Sequence, residues 1–127
     1  MIFMNNLYKV DSIIEKSVSS IRYHINLIAD SVIFKSHFPS EPIMPGACIV
    51  QLVNELFELW TGQEAEIQRI NNLKFLSPVS PAIVSTLDVF LVVNQQDLGT
   101  MHLKAVISAG EKVFSRMSLE LVYRDNR

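Results

Sequence analysis

The chain has 127 residues, 49% of them hydrophobic and 19% charged, and a formal net charge of −2. That length supports one domain with a buried core, and so apolar a composition excludes a disordered chain. With 11 basic against 13 acidic residues there is no basic field of the kind nucleic acid requires.

Met1 to Met4 is a short apolar run followed by Asn5 and Asn6, without the charged lead-in and long apolar stretch of a signal peptide. Ile21, Tyr23, Ile25 and Leu27 then alternate with Arg22, His24 and Asn26, which predicts a half-buried strand. Between Pro39 and Gly46, three prolines and a glycine fall within eight residues, so the backbone there is stiff.

From Pro45 to Trp60 the period becomes helical. Apolar residues at 49, 50, 53, 56, 57 and 60 follow one helix face, Leu52 and Leu59 widen it, and Gly62 supplies the stop. Gln51, Asn54, Glu55 and Glu58 form a narrow polar stripe, with Glu55 and Glu58 read as a solvated face. The same charges and amides interrupt the run too often for a membrane span.

The stretch Ile83–Val93 reads as a long strand, Asn94–Gly99 as a turn, and Met101, Leu103, Ala105 and Ile107 as the inward face of the next strand. A tight turn at Ala109–Glu111 leads to a last strand carrying Val113, Ser115, Met117, Leu119, Leu121 and Tyr123. One helix, apolar around most of its circumference, must be covered on most sides. The expected architecture is therefore α+β: a central helix wrapped by a curved antiparallel sheet of about five or six strands, in one domain over residues 1–127.

The helix start carries the candidate chemistry. Its first N–H groups lack intrahelical acceptors and bear partial positive charge, and Gly46, without a side chain, admits close approach of a ligand atom to its amide. A carbonyl oxygen gaining negative charge would be stabilised there. His37 opens the rigid loop that leads to it. On composition alone the better reading is a proline-rich connection with a surface histidine.

The motif His37-Phe38-Pro39 followed by Pro42-Ile43-Met44-Pro45-Gly46 closely resembles the active-site motif of the 3-hydroxyacyl-acyl carrier protein dehydratases. Phe34, and the segment Phe75-Leu76-Ser77-Pro78-Val79-Ser80-Pro81, are similar to the family's corresponding segments, and residues 7 to 123 align in outline. The resemblance implies the hot-dog fold and loss of water from 3-hydroxyacyl thioesters on an acyl carrier protein or coenzyme A, in fatty-acid or related acyl-chain synthesis. With the apolar surplus it implies a homodimer or higher assembly with His37 near Gln51 of the other chain. The charge balance, the lack of a signal-peptide or membrane-span pattern and the lack of zinc spacing give the further expectation of a cytoplasmic protein with no nucleic-acid, membrane, metal or cofactor partner.

In the roles so implied, His37 is the base and the Gly46 amide polarises the thioester carbonyl. The family's acidic residue, fourteen positions after the histidine, is Gln51 here. An amide does not exchange a proton near neutral pH, so Gln51 can hold a hydroxyl but not protonate it. Either His37 makes both transfers, or Glu55 or Glu41 substitutes, or elimination is lost and the fold binds or hydrolyses thioesters. Ser36 and Ser40 stand where glycines commonly flank the motif. An acyl thioesterase and a non-catalytic partner subunit of a dehydratase are the alternative functions.

Cys48, the only cysteine, excludes an internal disulfide and reads as a small buried hydrophobe; no Cys/His spacing suggests zinc. His24 and His102 fall in polar strand phases and are expected at the surface. Phe90, Phe114, Met101, Met117 and Leu119 line either an acyl tunnel or simply the core. Lys35, Arg69, Lys74 and Arg116 are candidates to meet an acidic carrier or a nucleotide-bearing thiol, and otherwise are solvated charges.

Overall fold

The single helical-period segment forms the long helix, and the alternating segments form the sheet around it. The computed structural model describes residues 1–36, 41–97 and 99–124. In chain order the elements are β1 (Tyr8–Lys16), β2 (Ser20–Leu27), a short α1 (Val32–Ser36), α2 (Gly46–Thr61), β3 (Ala65–Phe75), β4 (Thr86–Asp97), β5 (Thr100–Ala109) and β6 (Lys112–Tyr123). The six strands form one antiparallel sheet in the order β1-β2-β4-β5-β6-β3, so β1 and β3 are its edges.

Strand alternation puts Ile21, Tyr23 and Ile25 of β2, Leu87, Val89 and Leu91 of β4, and Leu103, Ala105 and Ile107 of β5 in the core. They meet Leu52, Val53, Leu56 and Phe57 of α2, each 1% exposed or less. Burial of such side chains stabilises by about 1.5–3 kcal/mol apiece, and this more than anything else holds the helix in its sheet. The helix ends where Gly62 takes a left-handed φ of 72° and returns its N–H to the carbonyl of Glu58 at 2.8 Å.

Several expectations need correction. The polar stripe of α2 is not a solvated face: Glu55 is fully buried and Asn54 nearly so, while Glu58 is half-buried and accepts the N–H of Ala65 at 2.7 Å. The N-terminal segment and the start of β3 lie across that stripe, supplying the donors that let carboxylates be covered.

The turn expected over Asn94–Gly99 is mostly strand. Asn94 pairs with His102 and Gln95 with Met101, because the end of a hairpin ladder gives backbone hydrogen bonds without requiring an apolar side chain. At its other end β4 begins three residues later than expected, at Thr86. The Ser80 carbonyl accepts the N–H groups of Ile83 and Val84 at 3.0 and 2.9 Å and closes a turn there.

Candidate active site

Among the described residues no side chain caps the start of α2. Pro45 stands as its N-cap with φ −60° and ψ 146° and offers no capping side chain, while its carbonyl accepts the N–H groups of Cys48 and Ile49 at 3.0 and 3.2 Å. The N–H groups of Gly46 and Ala47, in the turn before the helical ladder begins, therefore point out along the axis with the positive end of the helix dipole. The incoming chain is pinned by the Met44 N–H, which donates to the Val79 carbonyl at 2.8 Å.

Gly46 is needed at this position for space rather than for backbone freedom. A Cβ there would lie 2.7 Å from Cζ and 2.8 Å from Cε2 of Phe75, so only glycine lets that ring close over the helix start. Beside it opens an apolar cavity of about 360 Å³, walled by Ile43, Met44, Ile49 and the segment Phe75–Val79. Phe75 and Leu76 are each about half exposed, 49% and 54%. An acyl chain or thioester approaching Gly46 would meet this wall. Another cavity, about 420 Å³, opens between Phe57, Trp60 and Tyr123 at the opposite end of α2, away from these amides.

Gln51 sits in a different environment. Its Nε2 donates to Oε2 of Glu55 at 3.1 Å, one helical turn further on. Glu55 also accepts the Tyr8 hydroxyl at 3.0 Å, the Met4 N–H at 2.9 Å and the Phe3 N–H at 3.0 Å. The tight N-terminal turn aims those amides: Asn5 adopts φ 69°, and the Phe3 carbonyl accepts the N–H groups of Asn6 and Leu7. Burial pushes the Tyr8 phenol far above its ordinary range, and the carboxylate of Glu55 beside it adds to the rise. Tyr8 therefore keeps its proton and donates it, so every partner of Glu55 is a donor.

Of the residues singled out in the sequence, Gly46 and Gln51 are not brought together within one chain. Five positions apart on a helix, they project about 140° from each other; one borders the Phe75 cavity, the other is held by Glu55. His37, with Phe38, Pro39 and Ser40, lies outside the described residues. Cys48 is buried, and burial pushes its thiol up, in keeping with a packing role.

Met101, Phe114, Met117 and Leu119 are in the core, whereas Phe90 lies on the outer face of the sheet beneath the Arg22 guanidinium, 4.5 Å away. His24 is also on the outer face, with Nδ1 2.6 Å from Oδ1 of Asp88. Lys35, Arg69, Lys74 and Arg116 are exposed, and Lys74 stands directly opposite Arg116 in the β3–β6 register. Nothing in the sequence pattern pointed to Tyr8 or to the backbone of Phe3 and Met4. The only signal for them was the four-residue spacing of Gln51 and Glu55, which pairs the two side chains but does not reveal what covers them.

A single long helix enclosed by a six-stranded antiparallel sheet defines the hot-dog class of proteins. Solved structures that share it include the dehydratase heterocomplex ApeI:P from Xenorhabdus doucetiae, with a TM-score of 0.70 at 17% identity over 90% of this chain and 98% of that one, and a hypothetical thioesterase with coenzyme A from Streptococcus pneumoniae, with a TM-score of 0.66 at 10% identity over 94% and 88%. At those identities the likeness is one of fold. The chain belongs to the ApeI-like family of ApeI dehydratases, which matches residues 13–116. It is similar to 3-hydroxyacyl-[acyl-carrier-protein] dehydratases FabZ: 29% identical to that of Pseudothermotoga lettingae over 122 residues, 92% of this chain and 86% of the relative, and 31% identical to that of Clostridium botulinum over 116 residues, 86% and 78%.

Proposed function

We propose that the protein eliminates water from 3-hydroxyacyl thioesters, in a site assembled from two chains. The observation that carries this reading is the uncapped helix start at Gly46, opening on an apolar cavity and following directly on the His37 motif. His37 removes the proton at C2 of the acyl chain. The charge that develops on the thioester oxygen is held by the Gly46 N–H, and the bond from C3 to its hydroxyl breaks. His37 returns the same proton to the departing oxygen, which leaves as water, and an enoyl thioester remains. Gln51 makes a hydrogen bond to that hydroxyl and transfers no proton.

Division between chains is supported by the separation of Gly46 from Gln51 around the helix, which leaves each cavity without the amide it needs unless a second copy supplies it. The half-exposed Phe75 and Leu76 beside the open β3 edge are apolar surface suited to that contact. Lys74 opposite Arg116 is a like-charged pair, unfavourable in isolation and relieved by an anion such as the phosphate of a pantetheine arm on a carrier protein or coenzyme A.

A second reading is favoured by one observation: Gln51 stands where the related dehydratases have an acid, as expected of a non-catalytic subunit that pairs with an active one. Incubation of the purified protein with a 3-hydroxyacyl thioester tests the two. Conjugated enoyl absorbance that disappears with His37→Ala supports the dehydratase. Release of free thiol instead indicates hydrolysis, and an inert protein favours the partner subunit.

A further inference from the structure

Glu55 is a buried carboxylate with no place in the proposed elimination. Full burial of such a group is costly unless its lone pairs are filled, and here four donors fill them. Three of the four, the Phe3 and Met4 amides and the Tyr8 hydroxyl, come from the N-terminal turn and the start of β1. They are fixed by the fold through the N-terminal turn and the β1–β2 pairing. The fourth, Gln51, is only half-buried, and it is the partner that the proposed elimination sets beside the substrate hydroxyl. A fully buried carboxylate whose lone pairs are already filled by four donors is not placed to serve as the missing acid.

We propose that Glu55 is a positioning residue that orients the Gln51 amide, holding it by its N–H so that the carbonyl oxygen Oε1 is left to accept a hydrogen bond from the hydroxyl of the thioester substrate. This rests on the dehydratase reading of the site. The physical basis is the chemistry of the amide. Its two ends are nearly the same shape, so packing alone does not choose between them. A neighbour that only accepts must meet the NH₂ end, and the planar group then presents its oxygen on the other side. Gln51 thereby becomes a selector for substrates carrying a hydroxyl donor at C3, against saturated chains that carry none.

The test compares two non-reacting thioether analogues, a 3-hydroxyacyl and a saturated acyl pantetheine, as inhibitors of dehydration in wild type, Glu55→Gln, Gln51→Ala and the double variant. In wild type the hydroxylated analogue binds better. In Glu55→Gln, which keeps the volume of the side chain but lets the Gln51 amide turn over, that preference falls by roughly tenfold while the saturated analogue binds as before. In the Gln51→Ala background, Glu55→Gln causes no further loss, because it acts through the missing amide.

Tyr8→Phe, which loosens Glu55 without altering its charge, shifts the preference the same way by less, and serves as the test should Glu55→Gln not fold. Equal losses for both analogues, or additive losses in the double variant, mean that Glu55 only supports the fold and overturn the proposal. An active wild type whose preference survives both Glu55→Gln and Tyr8→Phe overturns it alone. A wild type that neither dehydrates nor distinguishes the analogues overturns the dehydratase reading with it.

Discussion

In the proposed site Gln51 holds the substrate hydroxyl without transferring a proton, and its neighbour Glu55 decides what can be put back. Gln51→Ala removes one hydrogen bond to the substrate and is expected to slow dehydration by roughly tenfold, about 0.5–1.5 kcal/mol. Gln51→Glu places a second carboxylate one turn from buried Glu55. Contact between two carboxyl groups favours a proton shared between them, which would give the variant the acid that Gln51 lacks. The variant is expected to match or exceed wild type, with a rate that falls as alkali removes the shared proton; steady-state rates against pH in the three proteins check this.

Tyr8 links the same network to stability. Its phenol holds its proton in the folded chain well above the ordinary value of 10.0, and Tyr23 is shifted the same way by burial. Below pH 10 neither residue makes stability depend on pH. Above it the unfolded chain releases protons that the folded chain retains, so stability falls as pH rises, by up to about 1.4 kcal/mol per pH unit for each such proton. Tyr8→Phe is expected to lower stability at pH 7 by about 1 kcal/mol through the lost hydrogen bond, yet to make the alkaline decline shallower by one proton. Urea unfolding between pH 7 and 11 measures both.

Among the elements, the helix start separates stability from activity. Gly46→Ala improves the helix propensity of the first turn, and the Cβ it adds meets the far end of the half-exposed Phe75 ring, which can swing away. Stability is therefore expected to stay within about 1 kcal/mol of wild type. The displaced ring and the methyl group crowd the Gly46 amide, and dehydration is expected to fall by about a hundredfold, on the scale of a lost oxyanion donor. Thermal unfolding and kcat/KM, measured side by side, decide whether the two effects part as described.

The helix and most of β2, β4, β5 and β6 were legible in the sequence because each keeps one period over most of its length; the bounds of β4 were displaced, and the β5–β6 register slips beside Ser108. The edge strands were not legible. In β3 the apolar residues Ile67, Ile70 and Leu73 are three apart, and in β1 Val10 and Ile13 are likewise. The register slips between Ile67 and Arg69, again between Ile70 and Asn72, and twice in β1, each slip adding a residue that breaks the two-residue alternation. The site was half legible for a related reason. Gly46 is announced by its own turn chemistry, whereas the burial of Glu55 depends on Phe3 and Met4, more than fifty positions away and contributing only backbone.

At the scale of the whole molecule, the proposed two-chain site ties activity to assembly. If Gly46 and Gln51 of different copies serve one substrate, His37→Ala and Gln51→Ala chains, each impaired alone, are expected to complement when mixed. Random pairing forms one site in which both wild-type groups meet, and up to about a quarter of wild-type activity returns. Activity assays after mixing and re-equilibration, with sedimentation to follow the dimer, check this; absence of any recovery places both groups in a single chain.

The bulges of β1 and β3 also bear on what the two open edges of the sheet can pair with. Both edges carry exposed isoleucines, Ile13 and Ile14 on one and Ile70 on the other, beside backbone that no neighbouring strand satisfies. A straight edge of that composition would be a template for endless strand addition. Two extra residues in each edge throw its N–H and C=O groups out of even spacing, so an ordinary extended peptide finds no continuous ladder to join. Only a surface shaped to those irregularities can dock, and the edges are thereby selective before any side chain has been read.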